Sequence, residues 1–196
     1  MDWIAVADEK RTRYEASYGE LDERALVRRG NTAYAAALAL TMADDPAAAD
    51  WFRKAAAAWR ESWEAGAAAD AWGRPIGVLK AGLLAGDDVD RDAAWVLGLG
   101  AADAQSPIGR YAAVLALLVL GRRDEAAGLA VTLDEFPADV AEALAAIASG
   151  DADSYGAAID SVVASFESRD AYLEDVPVAD TALALDLLAR RNGLDV

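Results

Sequence analysis

Ser106-Pro107-Ile108-Gly109-Arg110-Tyr111-Ala112-Ala113-Val114-Leu115-Ala116-Leu117-Leu118-Val119-Leu120-Gly121 is the stretch whose reading decides the fold. Ser106 can accept a hydrogen bond from a free first-turn N–H, Pro107 fits the first helical position, and Gly121 can take the left-handed conformation that ends a helix. Between these signals, Tyr111 to Leu120 carries no polar side chain except the tyrosine hydroxyl. No face of such a helix prefers water, so it must be covered on all sides. A membrane span is the rival reading. At ~1.5 Å rise per residue the segment reaches about half of a ~30 Å hydrocarbon core, and Arg110, Arg122 and Arg123 bound it. The stretch therefore predicts a buried central helix in which Val114, Leu117 and Leu118 touch both earlier and later helices.

Upstream lies a second copy of the pattern. Pro75-Ile76-Gly77 opens it, a leucine-rich run follows, and Gly86 closes it. The two prolines are 32 residues apart, a period typical of stacked helical hairpins. Downstream, Gly121 at a hairpin turn, Ala126 five residues later and Pro137 after the next helix resemble a degenerate tetratricopeptide-type repeat. The turn glycines Gly86, Gly121 and Gly150 are unevenly spaced, so any solenoid is irregular. No segment shows sustained strand alternation. The expected fold is all-α: an irregular α-solenoid or helical bundle of about ten antiparallel helices built from hairpins, forming one domain over residues 1–196.

The remaining helices follow from caps and spacing. Residues 3–18 carry Ile4, Ala7, Tyr14 and Tyr18 on one stripe and Glu9/Arg13 as an i,i+4 pair. Asp22 caps a second helix running to about Met42, with Leu26, Ala33, Ala37 and Leu40 inward and Arg28-Arg29 on solvated surface. Asp45-Pro46 opens a third helix to Glu64, with Phe52, Ala56, Trp59 and Trp63 on the core face and Asp50, Lys54, Ala57, Glu61 and Glu64 opposite. Later apolar positions are Leu129, Val131, Leu133 and Phe136; Val140, Leu144 and Ile147; Ile159, Val162, Val163 and Phe166; and Leu183, Leu187 and Leu188. Asp186 and Arg190 form a second i,i+4 pair.

The chain has neither cysteine nor histidine. That removes disulfides, zinc sites, thiol nucleophiles and the imidazole on which most general-base mechanisms rely. Carboxylate, lysine, tyrosine or serine chemistry is left, with no recognisable constellation. Asp87 to Asp92 has carboxylates at alternate positions, but a calcium loop would need glycine at Ala93 and glutamate at Leu99, so the stretch reads as an acidic helix start. Gly98-Leu99-Gly100 lacks the third glycine and the preceding strand of a dinucleotide site. The sequence thus predicts a non-enzyme with no metal and no cofactor.

Formal net charge is −16, which argues against nucleic acid and anionic membranes as partners, since both require cationic side chains against phosphate. The N-terminus carries no signal-peptide pattern, and a cytoplasmic location is expected. The 23 Asp, 11 Glu, 15 Arg, 3 Lys and 50 Ala resemble the composition of proteins from organisms that keep molar salt in the cytoplasm. Charge and aromatics are unevenly placed. All six tryptophans lie before Gly98, whereas Asp124 to Val196 holds 16 acidic and 3 basic residues. The leading functional expectation is a helical-repeat protein that binds another protein, with a basic partner favoured electrostatically. An immunity-type inhibitor of a basic toxin is the narrower alternative, because some acidic, alanine-rich, all-α immunity proteins look similar in size and composition. A third is a small-molecule site lined by Trp51, Trp59, Trp63, Trp72 and Trp95, although tryptophans at helical spacing usually serve the core.

Overall fold

In the computed structural model of the protein, which describes residues 1–17, 19, 22–133 and 136–196, Ser106 Oγ accepts from Gly109 N at 3.1 Å. Pro107 begins the helix and Gly121 follows it at φ +67°. The described residues form ten α-helices and no strand. They are α1 (Trp3–Glu15), α2 (Glu23–Met42), α3 (Ala48–Glu64), α4 (Gly73–Leu84), α5 (Asp90–Gly98), α6 (Pro107–Val119), α7 (Arg123–Ala130), α8 (Ala138–Ser149), α9 (Ala152–Glu167) and α10 (Asp180–Arg191), with single 3-10 turns at Ala101–Asp103 and Leu173–Asp175. The chain packs as two compact units, Met1–Asp87 with Asp170–Val178, and Asp88–Arg169 with Ala179–Val196.

The second unit is built on α6. Every residue from Tyr111 to Val119 is buried, and α6 packs against α5 and the Ala101–Asp103 turn on the earlier side and α7, α8 and α10 on the later side. A helix with no polar face is stable only in such surroundings. Its last turn leaves carbonyls without intrahelical partners, and two of them are supplied from the end of α10. Asn192 Nδ2 donates to the Leu118 carbonyl at 3.0 Å and Arg191 Nε to the Val119 carbonyl at 2.8 Å. Arg191 also pairs with Asp90 at the start of α5. Between α7 and α8, Arg123 Nε donates to the Ala148 carbonyl at 3.0 Å. The turn after α8 needs φ +75° at Gly150, and a β-carbon there would fall 2.3 Å from Arg123 Nη2, so glycine is required on both counts.

Two apolar stripes of this unit are rotated from the expected ones. On α9 the buried residues are Tyr155, Ala158 and Val162, while Val163 is exposed. On α10 they are Ala182, Ala184, Leu185, Leu188 and Ala189, with Leu183 and Leu187 half-buried. The cause is a hydrogen bond. Tyr155, 1% exposed, donates its phenol to Asp186 at 2.6 Å, and a buried phenol must find an acceptor. Asp186 therefore serves Tyr155 instead of the expected Arg190, whose Nε donates to the Val196 carbonyl at 2.9 Å. Val131 is exposed because α7 stops one residue before it.

The first unit packs α1 to α4 in chain order, and the turn at Leu173–Asp175 also rests on α2. Asp22 Oδ1 caps α2 by accepting from Ala25 N at 2.7 Å. α2 and α3 run antiparallel, since Ser62 near the end of α3 donates to the Glu23 carbonyl at 2.8 Å. Ser62 is fully buried and also accepts from Arg74 Nε of α4 at 2.8 Å, while Arg74 pairs with Glu23. One small hydroxyl thus joins three helices. The third helix begins at Ala48 because Asp45 Oδ1 accepts from Ala47 N at 2.9 Å and closes a local turn first. Its core face is Trp51, Phe52, Ala55, Ala58, Trp59 and Ser62, with Ala56 and Trp63 half-buried at the margin.

α1 departs furthest from its reading. It ends at Glu15, Tyr18 lies outside the described residues, and Ile4 is exposed while Ala7 and Lys10 are buried. The expected Glu9/Arg13 pair is absent. Glu9 accepts from Lys10 at 3.1 Å, and Arg13 pairs with Glu174 at 2.7 Å. A carboxylate brought by a distant segment displaces an exposed i,i+4 partner that is worth only a few tenths of a kcal/mol (~0.3).

Candidate functional site

Four of the five candidate tryptophans, Trp51, Trp59, Trp63 and Trp72, belong to the first unit, and Trp95 to the second. Trp59 is buried between two helical glycines. β-carbons placed on Gly30 and on Gly77 would each lie 2.6 Å from its indole, and Trp59 Nε1 donates to Asn31 Oδ1 at 3.1 Å. Tyr34 packs beside it with centroids 5.2 Å apart. Trp51 is buried edge-on to Tyr14 at 5.2 Å, with Lys54 Nζ 3.8 Å above its ring. Trp63 and the buried Trp72 meet at 5.7 Å. These side chains therefore form pairs with core neighbours along α2, α3 and α4.

The second unit offers a surface of different character. Between α8 and α9 runs a groove of about 580 Å³, lined mostly by Ala145, Ala146, Ser149, Ala157 and Ser161, with the carboxylates of Glu142 and Asp151 at its edge. Small side chains on both walls leave the backbone ridges close to solvent. From Ala138 to Glu167 the sequence has six carboxylates and no Lys or Arg. Glu142, Asp151, Asp153, Asp160 and Glu167 are exposed. Asp151 accepts from both the hydroxyl and the N–H of Ser154, which holds its carboxyl below the usual range and keeps it charged while it caps α9. The sequence-level signal for this groove was present as alanine and serine at helical spacing, but only the pairing of α8 with α9 shows that the small residues face each other.

Chemistry-bearing groups with displaced acidity have partners of their own. Arg122 holds Glu125 below the usual carboxylate range through paired hydrogen bonds at 2.7 and 2.6 Å. Burial, then the Asp186 bond, raises the Tyr155 phenol, and burial, then the charge of Asp180, raises that of Tyr111. Both tyrosines are neutral when folded, whereas an unfolded tyrosine ionises near pH ~10. Stability should be complete below that pH and fall as pH rises above it, by up to about 1.4 kcal/mol per pH unit for each tyrosine. Urea unfolding between pH 9 and 11 measures this directly, and a free energy that stays level over that range would show that neither phenol is shielded.

Among the described residues no cluster of three or more carboxylates is placed to hold a metal ion. Asp88 and Asp90 instead organise the start of α5, where Asp88 Oδ1 accepts from Asp90 N at 3.1 Å. No described helix is long and apolar enough to cross a membrane. No protein-family model, curated protein or solved structure matches the chain.

Proposed function

We propose that the chain is a non-catalytic helical-repeat protein that binds a basic protein, with the α8–α9 groove as its contact surface. The observation that carries this reading is a groove walled by small residues and edged by carboxylates on a hairpin that has no cation of its own. A helix or extended segment bearing Lys or Arg would find its stems against the Ala and Ser walls and its charges against Glu142, Asp151 and the flanking Asp153 and Asp160. The same charge repels nucleic acid. The non-catalytic reading is supported by the tyrosines and carboxylates with displaced acidity, each of which has a structural partner.

A helical peptide of roughly twenty residues, with lysine at every third or fourth position, tests the reading by fluorescence anisotropy. It should bind at low salt and weaken as salt rises, because exposed charge pairs are screened beyond a Debye length of about 8–10 Å. Glu142→Lys combined with Asp160→Lys should reduce affinity about tenfold or more. The competing role for the carboxylates is salt adaptation. Thermal midpoints that climb steadily to molar potassium chloride, together with no peptide binding at low salt, would assign the acidity to salt adaptation and sink the binding proposal.

A further inference from the structure

In a chain of net charge −16, one cleft of the first unit is walled by cations. Its larger cavity, about 300 Å³, is lined by Arg13, Ser17, Ala25, Arg28, Arg29 and Thr32, which include three guanidiniums and no carboxylate. A neighbouring cavity of about 160 Å³ shares Arg29 and adds Tyr14, Lys54 and Glu61. Helix geometry explains the gathering. Ala25, Arg28, Arg29 and Thr32 stand at i, i+3, i+4 and i+7 of α2 and so form one stripe, and Arg13 and Ser17, four residues apart, extend the wall from α1.

The cations are held by specific contacts. The Arg29 guanidinium lies 4.5 Å from the Tyr14 ring centroid, and Tyr14 in turn meets Trp51, over which Lys54 is placed. Such stacking fixes a guanidinium plane while leaving its N–H edge available to an acceptor. Arg28 is exposed and has no ion-pair partner among the described residues. The hydroxyls are already committed as donors, Thr32 to the Arg28 carbonyl at 3.0 Å and Ser17 to the Tyr14 carbonyl at 2.6 Å. Recognition therefore falls to the guanidiniums, whose forked donors suit an oxyanion.

We propose that this cleft binds the phosphate group of a small organic phosphate monoester, held between Arg28 and Arg29. Charge selects the class. Glu174 neutralises Arg13, and the two remaining guanidinium charges match a phosphate monoester, which carries about −1.5 to −2 at neutral pH. A single carboxylate would leave one of them unbalanced. Size and field select a small molecule: the cavity is at the lower end of ligand-site volumes, about 300 Å³, and the surrounding net negative charge repels a polyanion such as nucleic acid.

Titration calorimetry with phenyl phosphate on the full chain is the test. Phenyl phosphate should bind, and Arg28→Gln should weaken it about tenfold or more without moving the thermal midpoint, since this exposed side chain supports no packing. Arg91→Gln, which removes an exposed guanidinium of α5, should leave binding unchanged. Succinate, a dianion of similar size with its charges on separate carboxylates, should bind at least about tenfold more weakly. The proposal fails if phenyl phosphate does not bind, if Arg28→Gln binds it as well as the parent, if Arg91→Gln loses as much, or if succinate binds equally.

Discussion

Leu117→Ala should lower the free energy of unfolding by about 2–5 kcal/mol, the range for deleting a buried leucine from a packed core. Leu117 is 4% exposed and the adjoining Leu118 is fully buried. The helix that carries them has packed neighbours on both its earlier and later sides, so the space left by the side chain cannot be filled by a shift of one partner. Leu117→Asp should do worse, because an ionised carboxylate would stand among apolar groups with no cation to meet it. Against a total stability of about 5–15 kcal/mol, that variant is expected to be largely unfolded. Urea unfolding followed by circular dichroism gives both values. Midpoints equal to the parent's for both variants would mean that α6 is not the centre of its unit.

The second large effect concerns Trp59, and its sign is the informative part. Replacing a glycine inside a helix by alanine ordinarily stabilises it by about 0.5–1 kcal/mol. Here Gly30 faces the five-membered edge of the indole and Gly77 the six-membered edge, with contact distances of 2.6 Å for an added β-carbon on either. The ring cannot withdraw from one helix without approaching the other. Gly77→Ala should therefore destabilise the protein by about 1–3 kcal/mol, the cost of overpacking. Trp59→Ala should cost about 3–5 kcal/mol, and in a Trp59→Leu background the penalty of Gly77→Ala should shrink or reverse. If Gly77→Ala raises the unfolding midpoint of the parent, the indole is not confined between these glycines.

What was legible in the sequence was whatever local chemistry controls by itself. The Ser106 and Asp22 caps, the stop at Gly121 and the all-round apolar run of α6 depend on neighbours within a few residues, and each stands where the sequence placed it. The faces of α9 and α10 were misread because one polar pair, Tyr155 with Asp186, is formed between residues 31 apart and turns both helices by a fraction of a turn. Arg13 and Glu174 show the same effect at longer range. The tryptophans were legible as core aromatics, but their confinement by glycines was not, since Gly30 and Gly77 carry no side chain with which to announce it. Arg29, read as solvated surface, is half-buried beneath Tyr14, a contact that needs α1 and α2 side by side.

The hydrogen bonds from Arg191 and Asn192 to the end of α6 also set an order of events for a chain made from its N-terminus. Val119 and Leu118 are synthesised 72 and 74 residues ahead of the side chains that serve their carbonyls. Through that interval water must satisfy the last turn of α6, and its apolar surface lacks the cover that α10 later provides. The second unit can close only after the turn at Asn192 has been made. Until then its most hydrophobic helix is the part of the nascent chain with most need of shelter.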